Sequence, residues 1–505
     1  MRLLMLRCLA LCSVPLPLAA GAQQKRVEAA RTKEIVIAAT TDVHGRLRGW
    51  DYYAGVPDSI RGLTRAATIV DSVRAANPGR VVLVDAGDFL QGNPLTFVAA
   101  RLNTGLPHPV VAAMNAMRYD AAAIGNHEFN YGLELLERAR KAASFPFLSA
   151  NARAPNGLNP MSASRIVERD GVRIGIVGAT TPGVNVWDRD SVRGKVTLVD
   201  IVGAVRKEAA SLKRRGADVI VAVLHSGLDE PSSYDTVTTG FASENVTARV
   251  AREVPGLDAI VFGHSHKELA DSTIGSALLV QPRNWAASVA VATLTVERDG
   301  IHWRVVARRG QVVRTAGHAE SPQVLAATQR QHDATVSYVN GSLGTTLVHW
   351  RADSSRVVDT PIVDFMLEVM RRRSGADLAA TAAFSLDAAL DSGSVTVAEL
   401  SRMYPYENTL RAVRVTGRQL RAYLEQSAKY FRDASSGVVA AGSVDASVPG
   451  YLFDIVAGAD YILDLSRPLG ARVTRLEVKG RPVTDTDTFT LALNNFRQTG
   501  GGGFA

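Results

Sequence analysis

The sequence predicts an α/β protein of two unequal domains. Three observations carry that expectation. The chain has 505 residues, more than one hydrophobic core usually organises. From about Lys33 to Arg314, apolar β-rich runs alternate with helical patterns. At five places such a run stops abruptly at a cluster of Asp, His or Asn.

The N-terminal segment comes first. Arg2 and Arg7 supply positive charge, Cys8 to Leu18 is apolar, and Ala20-Gly21-Ala22 fits a small-x-small cleavage site. Residues 1–22 therefore read as a signal peptide, and the protein is expected to be periplasmic or secreted. The apolar run is shorter than the ~20 residues a spanning helix needs. The only cysteines, Cys8 and Cys12, lie inside this segment. The exported chain should thus have no disulfide, no thiolate metal ligand and no cysteine nucleophile.

The first domain, 33–315, contains the strand-like runs EIVIAAT (34–40), RVVLVDA (80–86), DAAAI (120–124), VRIGIVGA (172–179), DVIVAVL (218–224) and DAIVF (258–262). Helical patterns such as LTRAATIVDSVRAA and IVGAVRKEAASLKRRG separate them, which predicts a largely buried sheet. Residues 316–344 read as a polar, helical connector. The second domain, 345–505, mixes a helix from Ile362 to Ser374, strand pairs around LRAVRV and RLEVKGRPV, and a glycine-rich end, TGGGGFA. The composition, 46% apolar and 21% charged with a net charge of +8, is that of a globular protein with a mild preference for anionic small molecules. The basic runs Lys213–Arg215 and Arg371–Arg373 fall in helix-like segments and read as solvated faces. No nucleic-acid partner and no stable membrane association are expected, and the chain is expected to be a monomer.

The chemistry is concentrated after the strands. EIVIAAT leads to Asp42 and His44, RVVLVDA to Asp88, DAAAI to the stretch GNHEFNYG with Asn126 and His127, DVIVAVL to His225, and DAIVF to His264 and His266. In α/β sheets the C-terminal strand edge is where ligands bind. One such histidine is ordinary; five strand ends delivering oxygen and imidazole donors are hard to explain as packing. Asp42, His44, Asp88, Asn126, His225, His264 and His266 make seven candidate ligands. A single tetrahedral ion needs about four. Seven suit two ions sharing a bridging carboxylate, for which Asp88 is the candidate. An imidazole-rich set with few carboxylates suits Mn, Zn, Fe or Co better than Mg or Ca. Two such ions activate a water and polarise phosphoryl oxygens for in-line displacement. No P-loop or GxGxxG element is present, so nucleotide handling is expected to be hydrolytic. In GNHEFNYG, Asn130 reads either as the N-cap of the helix that follows or as a partner to His127.

TDVHG, GDFLQGNP, GNHEFNYG, HSG and GHSH resemble the motifs of the calcineurin-like metallophosphoesterases. The stretches YPYENTLRAVRVTGRQL and NNFRQTGGGGF extend the likeness to the periplasmic 5′-nucleotidase group. Within it, WDYYAG and GYLFDIVAGADYILDLSRPLG resemble the 2′,3′-cyclic-nucleotide 2′-phosphodiesterase/3′-nucleotidase branch. The resemblance implies a four-layer αββα metallophosphoesterase domain followed by a smaller α/β nucleotidase domain. It implies one divalent ion on Asp42, His44, Asp88 and His266, and another on Asp88, Asn126, His225 and His264. It implies a catalytic role for His127, an aromatic clamp of Tyr406 and Phe496, and a base contact from Asn408. The implied function is hydrolysis of 2′,3′-cyclic nucleotides and 3′-nucleotides in nucleotide salvage. A 5′-nucleotidase or nucleotide-sugar hydrolase, or a metal-binding protein that has lost catalysis, are the alternatives. Two departures stand out: TAAFSLD (381–387) lacks the arginine that 5′-nucleotidases carry there, and Asn130 stands where they have aspartate. The chain also stops soon after its glycine-rich loop, where relatives continue, which reads as a truncated frame that leaves Phe496 short of support.

Overall fold

Successive side chains of the strand Thr32–Thr40 enter different cores. Ile35, Ile37 and Ala39 join one cluster, while Val36 and Ala38 join another. A strand that is apolar on both faces must be covered on both, and that requirement generates the layers of the first domain. In the computed structural model, which describes residues 32–102, 105–434 and 443–504, two six-stranded sheets pack face to face. The segment read as a signal peptide, 1–22, lies outside the described residues.

The first sheet runs His302–Arg314, Ser288–Asp299, Thr32–Thr40, Val81–Asp85, Ala121–Ala123, Phe147–Leu148. Its last four strands are parallel and the long pair Ser288–Asp299 and His302–Arg314 is antiparallel. The second sheet runs Leu269–Ile274, Ala277–Gln281, Ala259–Phe262, Val219–His225, Val172–Thr180, Ser164–Arg169, with its four central strands parallel. Alternation decides which residues lie between the sheets. Val82 and Val84 face Val219, Val221 and Val223 in the shared core. Ile220, Ala222 and Leu224 face outward onto the helices Ile201–Arg214 and Thr247–Glu253. The helix Leu63–Ala76 covers the outer face of the first sheet. Helix, sheet, sheet, helix is the αββα order.

The residues read as a connector form two short helices, Pro322–Ala327 and Gln329–Val339, that pack on the first domain. Tyr338 stacks on Phe97 with ring centroids 6.0 Å apart, and His332 Nδ1 meets the Tyr52 hydroxyl at 2.8 Å. The strand Ser342–Thr346 then pairs with Gly393–Thr396, so second-domain pairing begins inside the stretch read as connector. The second domain centres on a sheet ordered Leu410–Thr416, Thr488–Asn494, Leu378–Ala382, Asp454–Ala457. The helix Pro361–Ser374 covers one face and Gly417–Ser427 the other. LRAVRV pairs with Thr488–Asn494, while RLEVKGRPV folds on itself as the hairpin Val473–Val478 and Arg481–Pro482. The basic runs occupy the last turns of Ile201–Arg214 and Pro361–Ser374, where cations complement the helix dipole.

Candidate active site

Five parallel strands of the first domain end at one edge. Thr32–Thr40 delivers Asp42 and His44, Val81–Asp85 delivers Asp88, and Ala121–Ala123 delivers Asn126 and His127. From the facing sheet, Val219–His225 ends on His225 itself and Ala259–Phe262 leads to His264 and His266. Donor atoms of Asp42, His44 and His266 lie within 4.8 Å of one another, and so do those of Asp88, His225 and His264. Asp88 Oδ2 is 3.0 Å from His225 Nε2 and 3.9 Å from His44 Nε2, which sets it between the two groups. Asn126 Oδ1 lies 3.0 Å from His225 Nε2. His44 Nε2 and His266 Nε2 confront each other at 3.1 Å.

The rings are aimed from behind. His225 Nδ1 is held by the Ala86 carbonyl at 2.7 Å and His44 Nδ1 by the Gln91 carbonyl at 3.1 Å, so both turn Nε2 inward. Glu244 takes His264 Nε2 at 2.7 Å, which leaves Nδ1 without that bond. The backbone is equally constrained. Asp42, His44, Asp88, His264 and His266 all have left-handed φ, between 47° and 78°. That conformation costs roughly 1–3 kcal/mol at a non-glycine residue, although Asp and His tolerate it better than most.

Glu128, in the middle of GNHEFNYG, ties two of the loops together. Its fully buried carboxylate accepts from the backbone N–H groups of Gly125 (2.6 Å), Phe89 (2.7 Å), Asp88 (2.8 Å) and Leu90 (2.9 Å). Gly125 must be glycine there, because a Cβ would lie 2.2 Å from Asp88 Oδ1.

The electrostatics suit cations. Burial opposes ionisation of Asp88, yet the imidazoles of His225 and His127 hold its carboxyl well below the usual range. Burial likewise opposes Asp42, but hydrogen bonding to His266 and the charge of His225 hold it at about 2. Burial would lower His225, and Asp88 instead pushes it up to about 10. Burial and His127 hold His44 down to about 3, which keeps a lone pair on Nε2. Ionised carboxylates and inward imidazole nitrogens thus converge without enough protons to satisfy them. That donor set fits two divalent metal ions, whose binding displaces the protons drawn to rings such as His225.

His127 stands at the rim of this cluster, with Nε2 3.9 Å from Asp88 Oδ2 and its backbone N–H donating to Asp88 Oδ1 at 2.8 Å. Its Nδ1 meets Asn130 Oδ1 at 2.6 Å. Asn130 is not a helix cap: the helix Leu133–Ala142 begins at Gly132, and no side chain caps it. Of the two readings of Asn130, partnership with His127 is the one the geometry supports. Behind it, Asn130 Nδ2 donates to Asp188 Oδ1 at 2.8 Å. Burial pushes the Asp188 carboxyl up to about 6, against the hydrogen bond from Asn130.

The cluster opens into a cavity of about 1700 Å³ between the two domains. Tyr406, Asn408 and Phe496 line its far side. Tyr406 is 50% and Phe496 38% exposed, with faces available to a ligand. Asn408 spends one amide N–H on the Tyr404 hydroxyl at 3.2 Å. Phe496 sits on the short helix Asn495–Gln498, capped by Asn494. The next residue, Arg497, makes a fully buried ion pair with Asp454 at 2.8 Å and lies over Phe504 at 4.3 Å. Gly501 passes under the Phe496 ring so closely that a Cβ would come within 2.6 Å. The expected lack of support for Phe496 is therefore not what the described residues present. The domains touch around the cavity through Tyr131 with Glu407, Arg411 with Asp190, and the Arg402 guanidinium on the Tyr53 carbonyl.

Comparison with known proteins matches these two halves separately. The calcineurin-like phosphoesterase family profile matches residues 35–268, and the profile of the 5′-nucleotidase C-terminal domain matches residues 342–505. The crystal structure of calcineurin-like phosphoesterase YfkN from Bacillus subtilis is 31% identical, with all of that chain and 61% of this one aligned at a TM-score of 0.57. The chain belongs to the 5′-nucleotidase family of calcineurin-like metallophosphoesterases. It is 29% identical to the 2′,3′-cyclic-nucleotide 2′-phosphodiesterase/3′-nucleotidase of Salmonella typhimurium over 94% of this chain and 82% of that one. It is 28% identical to the trifunctional nucleotide phosphoesterase protein YfkN of Bacillus subtilis over 94% of this chain, and spans 36% of that protein's length. A putative 5′-nucleotidase from Staphylococcus aureus aligns over 94% of this chain and 92% of that one, with a TM-score of 0.77 and 25% identity.

Metallophosphoesterases of this family work with a dinuclear divalent metal site, and the clusters Asp42–His44–His266 and Asp88–His225–His264 could hold such ions. Several residues of this family member were not singled out from its sequence. Glu128 and Glu244 act behind the candidate ligands, and Asp188 acts behind Asn130. Phe384, inside TAAFSLD, packs its ring 5.2 Å from Tyr406. That stretch is itself held by Arg356, whose Nη2 donates to the Ala383 carbonyl at 2.9 Å. Among the described residues no helix is long and apolar enough to cross a membrane.

Proposed function

We propose that this chain is an exported hydrolase of 2′,3′-cyclic nucleotides and 3′-nucleotides. The observation that carries the reading is one cavity lined both by His44, Asn126, His264 and His266, behind which Asp42, Asp88 and His225 complete the donor cluster, and by Tyr406 and Phe496. The names of the Salmonella and Bacillus relatives support the same chemistry. The absence of an arginine from TAAFSLD, and the use of Arg356 to brace that stretch, favour the cyclic-phosphodiesterase branch over a 5′-nucleotidase.

Asp42, His44, Asp88 and His266 would hold one divalent ion, and Asp88, Asn126, His225 and His264 the other. Bound there, the pair supplies Lewis-acid polarisation of the phosphoryl oxygens and lowers the pKa of a water. Asn126 contributes an oxygen without adding a negative charge beside an incoming phosphate. His127 is half-exposed to the cavity, with Nε2 on the side of the cluster, and hands a proton to the leaving oxygen. Tyr406 and Phe496 take the base by its faces, which tolerates any base. Asn408 keeps amide capacity beyond its bond to Tyr404 for a base edge. The sequence of residues 1–22 supports export, and a nucleotide is the only partner the cavity calls for.

A substrate panel on metal-reconstituted protein tests the reading. Turnover of 2′,3′-cAMP and 3′-AMP well above that of 5′-AMP is the expected result. Strong 5′-AMP hydrolysis with none of the other two overturns it. Two equivalents of bound metal with no phosphate released from any nucleotide identifies a non-catalytic metal binder instead.

A further inference from the structure

The proposed chemistry uses His127 but gives Asp188 nothing to do. Asp188 sits between two single-turn helices, Val184–Trp187 and Arg189–Val192, and its side chain caps neither. Its backbone carbonyl accepts from Ser191 and Val192, so the local fold does not depend on the carboxylate. Asp188 is only 9% exposed. Oδ1 takes its hydrogen bond from Asn130 Nδ2, and Oδ2 is buried without a partner. A buried carboxylate costs stability unless it is well paired, and this one is paired once, to an amide that touches His127.

The order of donors and acceptors makes the connection directional. A carboxylate only accepts, so it draws the NH₂ end of the Asn130 amide toward itself. The oxygen end then faces His127, 2.6 Å from Nδ1. An amide oxygen only accepts, so Nδ1 carries the hydrogen and Nε2 is the nitrogen that gains and loses a proton. Without the carboxylate the amide is free to turn over. Its N–H groups would then meet Nδ1, select the opposite tautomer, and clash with the hydrogen on Nδ1 whenever the ring is protonated.

We propose that Asp188 is a positioning residue for the hydrolysis: it orients the Asn130 amide and so keeps the hydrogen of His127 on Nδ1, with Nε2 turned to the leaving oxygen. The inference rests on the proton-donor role given to His127 above. In the step it serves, a bond forms between the water oxygen and phosphorus and the bond from phosphorus to the leaving oxygen breaks. The leaving oxygen takes the Nε2 proton and its ring remains neutral with Nδ1–H. The proton released by the attacking water restores the ring through solvent.

The test uses leaving groups. A ribose oxygen must be protonated to depart, whereas p-nitrophenolate departs unaided. Asp188→Asn is expected to lower kcat on 3′-AMP roughly 10–100-fold, less than the ~10²–10⁴-fold of acid–base help lost outright, and kcat on p-nitrophenyl phosphate less than about threefold, with KM and metal content unchanged. Asn130→Leu, which breaks the relay while leaving Asp188 in place, is expected to do the same. Adding Asp188→Asn to Asn130→Leu is expected to cost nothing more, because residues acting in series are not additive. Equal losses on both substrates, or additive losses in the double variant, overturn the proposal and make Asp188 a structural residue. Should the parent hydrolyse 5′-AMP rather than 3′-AMP, the substrate reading fails alone, and the same comparison on 5′-AMP decides the role of Asp188. Unchanged turnover in His127→Ala would remove the step that Asp188 serves, and the inference with it.

Discussion

The two ends of the cavity are built on different principles. At the metal end, five of the seven candidate ligands sit in left-handed backbone, and His44, His225, His264, Asp42 and Asp88 are each tied to a carbonyl, a backbone amide or a further carboxylate behind them. At the aromatic end, Tyr406 and Phe496 have ordinary backbone and stand half-exposed. Buried donors from five separate strand ends have to be brought together and held, so strain and saturation of hydrogen bonds accumulate where the chemistry is. A stacking face needs only area, so its support is confined to what carries the ring: Phe384 against Tyr406, and the Arg497–Asp454 pair beneath the helix of Phe496. The prediction from the contrast is that kcat belongs to one end and KM to the other.

The largest effect should come from His127→Ala, with kcat falling about 10²–10⁴-fold, while KM and a metal content near two equivalents stay put. Steady-state kinetics alongside metal analysis checks it, and a rise in KM of the same size would erase the contrast. Glu244→Gln should come next. The carboxylate that holds His264 Nε2 would be lost, and metal affinity should drop roughly 10–100-fold, as for other residues that orient a ligating histidine. Chelator competition reads this directly. Excess metal should restore kcat, which it cannot do for His127→Ala. Tyr406→Ala should be weaker still. A half-exposed ring lies at the low end of the ~1–3 kcal/mol found for base stacking, several-fold in KM, with kcat nearly unchanged. A large loss of kcat in this variant would mean that the aromatic end also positions the phosphate.

Much of this was legible in the sequence, for identifiable reasons. Apolar runs that end at Asp42, Asp88, His127, His225 and His264 expose both the parallel strands and their catalytic edge, since period and punctuation are properties of the chain itself. The two faces of Thr32–Thr40 and Val219–His225 already imply a layer on each side. What lay hidden depends on three-dimensional neighbours. Glu128 looks like one more polar residue in GNHEFNYG, and only the fold shows that four amides from two loops point at it. Left-handed backbone at Asp42 and His266 has no glycine to announce it. Glu244 and Asp188 lie 20 and 58 residues from the partners they hold, with no motif linking them. The connector's helical character was legible, while its packing was not: the stacking of Tyr338 on Phe97, which binds it to the first domain, depends on a residue more than two hundred positions away.

The smallest predicted effect is one of stability, and it sharpens the contrast at the metal end. Burial raises the Asp188 carboxyl from 3.8 to about 6, with Asn130 and His127 opposing and Asp88 adding to the rise. A carboxyl whose folded value is raised binds its proton more tightly in the folded chain. Its charge therefore costs stability at every pH above about 6, and the cost fades as the pH falls from there toward 3.8. Asp188→Asn removes the titration altogether. Whatever constant offset the amide introduces, the melting temperature of the variant relative to the parent should be higher at pH 8 than at pH 5. The expected change is on the order of a degree or two for a chain of this size. Calorimetry at the two pH values measures it. A relative melting temperature that does not change with pH would mean that the buried carboxylate is compensated in the fold. Asp188 would then no longer mark a place where the metal end trades stability for the orientation of His127.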